Sequence, residues 1–142
     1  MIIKYAYLSN GVTEYGYKIP DIPIVYLALR IKKYIARGPA IIDTGFDGGV
    51  YPNIEIIKLL KGTKPLRKVE FEHPLLGIEE FEVYQAKGYL YYEGKYADLG
   101  YVNIYVPVEP EFISDEVLIG REILNKLKVI FNPFDGFTTI EV

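Results

Sequence analysis

The chain has 142 residues, a formal net charge of -3, half of its residues hydrophobic, no cysteine and one histidine. That length suits one domain, residues 1–142, around a single core, and it rules out an enzyme built from two such lobes. An acidic chain with no basic run is a poor surface for nucleic acid, and the lack of cysteine beside a lone His73 excludes disulfides, thiolate metal sites and His-rich clusters, so no metal or cofactor is expected.

The chain begins with Ile2-Ile3-Lys4-Tyr5, a strand-like mixture rather than a charged segment followed by a long apolar one, and it contains no long uninterrupted apolar run. A soluble, cytoplasmic protein with no membrane attachment is expected. Residues 2 to 8 and 12 to 19 are rich in Ile, Tyr and Val around Asn10-Gly11, a pattern that predicts an opening hairpin. Pro20 and Pro23 interrupt it. Ile24 to Leu29 then reads as a buried strand, and Lys32, Lys33 and Arg37-Gly38-Pro39 mark an exposed turn before a strand over 40 to 43. Val50-Tyr51 extend briefly. Asn53 as an N-cap, apolar side chains at 56, 57 and 60, and Gly62 past the last turn predict one short helix.

Charged and apolar residues alternate over 68 to 72 and 80 to 84, as in a hairpin with one solvated face, with an apolar tip at His73-Pro74-Leu75-Leu76-Gly77-Ile78. Two more strands, 86 to 92 and 95 to 106, flank Glu93-Gly94 and carry many tyrosines, which suit a sheet better than a ligand platform. Val117 to Ile119 is a further strand, Ile123, Leu124 and Leu127 share one face of a second short helix, and 129 to 132 and 137 to 142 flank the turn Pro133-Phe134-Asp135-Gly136. Short strands, frequent turns and one or two short helices predict an all-β, closed or sandwich-like domain.

Two stretches carry chemistry. In Ala40-Ile41-Ile42-Asp43-Thr44-Gly45-Phe46-Asp47-Gly48-Gly49 an apolar strand delivers a carboxylate into a glycine-rich turn. A carboxylate at the end of a buried strand costs several kcal/mol of desolvation unless it is hydrogen-bonded or shares a proton with another. Thr44 supplies a hydroxyl able to hold neighbouring backbone, and Gly45 leaves room for another group to approach. Far along the chain stands Leu118-Ile119-Gly120-Arg121, an apolar pair, a glycine and an arginine ahead of the second helix.

Together, and in this order, the two motifs resemble the retropepsin-like, retroviral-type single-lobe aspartic proteases, in particular prokaryotic members reading Asp-Thr-Gly-Phe. The resemblance implies a retropepsin-type barrel and an aspartic endopeptidase in which Asp43 is catalytic. It implies that Thr44 grips the partner's loop and that Gly45 presents backbone to substrate. Leu75, Leu76 and Gly77 would belong to a flap over the cleft, with the tip packing on its own core as the plainer alternative. Asp47 and Arg121 would form a structural ion pair, set against a surface pair worth under about 1 kcal/mol. Leu118, Ile119 and Gly120 would be the second glycine motif, and the terminal strands, 137 to 142 with 1 to 4, would interleave across a dimer.

The chain holds no second Asp-Thr/Ser-Gly. One aspartate cannot be both acid and base, so activity requires a homodimer that brings two copies of Asp43 together over a peptide or unfolded-protein substrate. Phe46 stands where related enzymes carry a small or hydroxyl residue. Its ring donates no hydrogen bond to the carboxylates, and its bulk would narrow the cleft. That departure supports the alternative of a dimeric peptide-binding module with little or no proteolysis.

Overall fold

The computed structural model describes residues 1–73, 75 and 77–142. Strands β2 (Ile24–Ile31) and β3 (Tyr34–Ile42) form a hairpin turned at Lys32, whose φ is 56°. After β4 (Val50–Tyr51) and helix α1 (Ile54–Leu60), strand β5 (Arg67–His73) pairs with the first half of the long β6 (Gly77–Tyr92). β6 turns through Glu93-Gly94 into β7 (Lys95–Pro107). β8 (Val117–Ile119) leads into helix α2 (Arg121–Leu124), and β9 (Lys128–Asn132) and β10 (Phe137–Glu141) end the chain beside β1 (Ile2–Ala6).

The expectation of an all-β closed architecture with two short helices holds. The strands run in the order β2-β3-β8-β4-β7-β6, and β2 pairs again with β6 from Leu27↔Leu90 to Arg30↔Lys87, so these strands close into a barrel. Closure removes the open edges that an antiparallel sheet otherwise presents. β5 lies outside the ring, on the edge of β6 that β2 occupies further along. Ile24, Val25, Leu29, Val50, Leu90, Ile104 and Ile119 are at most 1% exposed and fill the interior. α1 forms where its signals predict: Ile56 N–H donates to Asn53 Oδ1 at 3.0 Å, and Gly62 follows the helix at φ 86°.

Three sequence expectations are corrected. The opening hairpin around Asn10-Gly11 does not form: β1 instead pairs with β10, and residues 7 to 23 make an excursion tied by the isolated bridges Leu8↔Ile22 and Val12↔Lys18. Burial decides this, since β10 lets Ile3 and Tyr5 fall to 0% and 3% exposure while Tyr15 and Tyr17 stay outside. β3 starts at Tyr34 rather than at residue 40, which puts Arg37-Gly38-Pro39 in a strand. Pro39 is tolerated because β3 pairs with β8 only from Ala40 onward, leaving no partner on that side for the missing N–H. Finally, β10 is hydrogen-bonded to β1 on one edge and β9 on the other within its own chain. It therefore has no edge left to interleave with a partner.

Candidate active site

The topology around β8 builds the site. β3 runs parallel to one side of β8, from Ala40↔Val117 to Ile42↔Ile119, and β4 runs antiparallel on the other, through Val50↔Ile119. The connection from residue 43 to 49 must therefore cross the end of β8 where that strand becomes α2. Backbone bonds fix the crossing. Asp43 N–H donates to the Ile119 carbonyl at 2.9 Å, Gly120 N–H to Gly49 at 2.8 Å, Arg121 N–H to Phe46 at 3.0 Å and Glu122 N–H to Gly48 at 3.2 Å. The two sequence motifs, which are far apart in the chain, are one object in space.

The approach is close enough to require glycine. A Cβ on Gly120 would lie 2.6 Å from Phe46 Cδ2, and one on Gly48 would lie 2.7 Å from Phe46 Cζ and from the Tyr105 ring. Asp43 is half-buried, and its Oδ1 accepts from Gly45 N–H at 2.9 Å, which orients the carboxyl from its own loop. Phe46 N–H donates to the Asp43 carbonyl at 3.2 Å. Arg121 clamps the loop from below: Nη1 donates to the Thr44 carbonyl at 2.6 Å, and Nη2 pairs with Asp47 Oδ1. The side chains of Arg121 and Asp47 are 43% and 50% exposed in the single chain, so this is an accessible pair, and most of Arg121's effect comes from bridging two points of the loop. Thr44 and Gly45 are exposed at the crest. Leu118 is half-buried while Ile119 and Gly120 are buried.

Phe46 turns inward. It is 9% exposed, and its ring lies 5.6 to 6.3 Å, centroid to centroid, from Tyr51, Phe71, Phe81 and Tyr105, mostly edge to face. In the single chain the ring therefore serves as a core side chain between the aspartate loop and the β5–β6 hairpin. The same hairpin is held by Tyr51 Oη, 2.9 Å from Glu79 Oε1 and 2.5 Å from the Phe112 carbonyl. Burial pushes the Tyr51 phenol up, and the hydrogen bond to Glu79 pushes it further. At the tip, Leu75 is 89% exposed and Gly77 takes φ 83°, whereas Pro74, Leu76 and the side chain of His73 lie outside the described residues.

Sequence reasoning missed the support beneath the loop. Tyr105 donates to Glu122 Oε2, and Asn103 Nδ2 donates to Glu122 Oε1 at 3.3 Å. Burial, then the bond to Glu122, pushes the Tyr105 phenol up to about 12. The available signal was the i, i+2 spacing of Asn103 and Tyr105, which puts both on one face of a strand. Among the described residues no group of three or more His, Asp or Glu side chains is set to hold a metal ion, and no helix is long and apolar enough to cross a membrane.

No family model matches the sequence, and a search of curated proteins finds no match. Solved structures do match. The chain is similar to the crystal structure of a retropepsin-like aspartic protease from Rickettsia conorii, with a TM-score of 0.55 and 13% identity over 98% of each chain. At that identity the likeness speaks for the backbone alone: this chain has a retropepsin-like fold.

Proposed function

We propose that residues 1–142 form one aspartic protease unit that cleaves peptide bonds in extended or unfolded chains, as a homodimer with Asp43 of each copy at the shared centre. The observation that carries this is Asp43 itself: a half-buried carboxyl at the crest of a backbone-locked loop, on a retropepsin-like fold, with its Oδ1 already held by Gly45 N–H. Two such carboxyls about 3 Å apart cannot both ionise, so one stays protonated and the other acts as base. The ionised Asp43 takes a proton from a water as its oxygen attacks the scissile carbonyl carbon. The protonated one gives its proton to the carbonyl oxygen, leaving a tetrahedral diol. The carboxyl that took the water's proton then gives it to the amide nitrogen while the other, now ionised, takes a proton from a diol hydroxyl. The C–N bond breaks to leave a carboxylic acid and an amine, with one proton again shared by the pair. Thr44 and Gly45 at the crest are the residues that would face the partner loop and the substrate, with Leu75 and Gly77 in the covering flap.

Since β10 is occupied on both edges, association through the terminal sheet would use the outer edge of β1 or β9. A cytoplasmic site of action accords with a chain that has no cysteine. A dimeric peptide-binding module is the second reading, and Phe46 favours it in one respect: the phenyl ring offers the carboxyls no hydrogen bond.

The deciding experiment is cleavage of an unfolded protein between about pH 3 and 7 by wild type and Asp43→Asn, each across a dilution series. The protease reading expects wild-type cleavage that Asp43→Asn abolishes and whose specific activity falls on dilution. Equal cleavage by both proteins sinks the mechanism, and peptide binding without cleavage by either transfers the assignment to the binding module.

A further inference from the structure

On the side of the barrel away from the aromatic cluster, the inward positions of β3 are small. Ala36, Gly38 and Ala40 follow one another at period 2, where β2 opposite carries Leu29, Leu27 and Val25 in register. Helix α1 lies across this region with Ile56 and Leu59 but does not fill the missing volume. The result is a cavity of about 560 Å³ lined by Leu27, Leu29, Ala36, Gly38, Ile56 and Leu59 among others. A Cβ on Gly38 would meet nothing within 4 Å. The size falls in the range of small-molecule sites, roughly 300 to 1,000 Å³. Asp43, Thr44 and Gly45 take no part in the lining.

The charge around this apolar hollow is one-sided. Glu55, Asp115 and Glu116 also line it, all three exposed, and among the described residues none is ion-paired to a lysine or arginine. Arg37, the one cation in the lining among the described residues, is turned toward tyrosines: its Nη1 donates to Tyr96 Oη at 3.0 Å and its guanidinium lies 5.1 Å from the Tyr91 ring centre. Three carboxylates against one guanidinium leave the rim net negative, and an aliphatic floor inside such a rim selects an apolar body carrying a positive charge.

We infer that this cavity is a binding site for a small organic cation with an aliphatic body, such as an alkylamine. The aliphatic part lies against Leu27, Leu29, Ile56 and Leu59, in the space that Ala36 and Gly38 leave open, and the ammonium group faces Glu55, Asp115 and Glu116. The site stands whether or not Asp43 cleaves peptides.

The test is titration with n-octylamine, n-octanol and n-octanoate below their aggregation limits, read by backbone amide NMR shifts. The expected result is saturable octylamine binding that moves the amides of Ala36, Gly38 and α1, with octanoate at least about fivefold weaker. Gly38→Leu fills the hollow and should weaken octylamine at least about tenfold in a protein whose spectrum remains folded. Glu55→Gln/Asp115→Asn/Glu116→Gln should remove the preference for amine over alcohol. The inference fails if octylamine does not bind wild type, if octanoate binds equally well, or if folded Gly38→Leu binds unchanged. It also fails if Gly38→Leu weakens self-association instead, which would make a second copy the occupant. Should Gly38→Leu not fold, the triple variant, changed only at exposed positions, decides alone: an amine preference that survives it overturns the site.

Discussion

Two sides of one barrel use glycine for opposite reasons. Beside the aspartate loop, Gly48 and Gly120 are glycine because there is no room: the Phe46 and Tyr105 rings or the crossing backbone already occupy the space of a Cβ. Beside α1, Gly38 borders open space and its absent side chain creates the hollow. The crowded side fixes a carboxyl in position. The hollow side leaves volume for something else to enter. A strand or loop glycine is thus not a single signal, and only the neighbours across the core say which kind it is.

Substitutions sharpen this contrast. Phe46→Ala should be the most damaging to stability, about 3 to 5 kcal/mol by denaturant unfolding, because it empties the centre of an aromatic cluster that has no slack to collapse. A loss under about 1 kcal/mol would mean that the crowded side is not crowded. Next comes Gly120→Ala, expected to cost about 1 to 3 kcal/mol by forcing the 43–49 crossing away from β8, and to lower activity together with stability. Thermal melts of both variants against wild type make the comparison.

The third probe uses pH. The Tyr105 phenol is raised from 10.0 to about 12 in the folded chain, so the unfolded chain loses that proton first. Stability from this group is complete below pH 10 and declines as pH rises toward about 12. Tyr105→Phe should remove that part of the alkaline loss, while Tyr5 and Tyr51, also raised by burial, keep theirs. An unchanged alkaline slope in the variant would show Tyr105 to be no part of it. Smallest of all should be Ala36→Val on the hollow side, a change within about 1 kcal/mol of wild type, where the same added methyl groups beside Phe46 would be rejected.

Much of the architecture was legible because its signals are local. Asn53 and Gly62 bracket α1, Glu93-Gly94 turns β6 into β7, and the chain around Asp43 announces a carboxyl at a strand end. What escaped depends on partners distant in sequence. Asn10-Gly11 carries a hairpin's local chemistry, but pairing with β10 buries Ile3 and Tyr5, and that gain outweighs the turn preference. Phe46 reads as an obstruction in a cleft because it stands where the resembling enzymes carry a small or hydroxyl residue. Its true neighbours, Phe71, Phe81 and Tyr105, come from strands that only the closed barrel brings to it. The cavity escaped for the same reason: Ala36 and Gly38 are unremarkable until Leu29 and Leu27 stand opposite and α1 fails to fill the difference.

The terminal sheet carries a consequence for assembly in time. The β6–β7 hairpin closes across a two-residue turn, whereas β1 meets β10 only when Ile2 finds Glu141 from the far end of the chain. Loop-closure entropy and contact order place the hairpin early and the docking of β1 late. Until β1 arrives, β10 has one open edge, and in a concentrated solution the β1 of a neighbouring copy meets the same register. Strand exchange between copies is therefore a built-in hazard of refolding this protein, and slow, dilute refolding is the way to keep each first strand with its own last one.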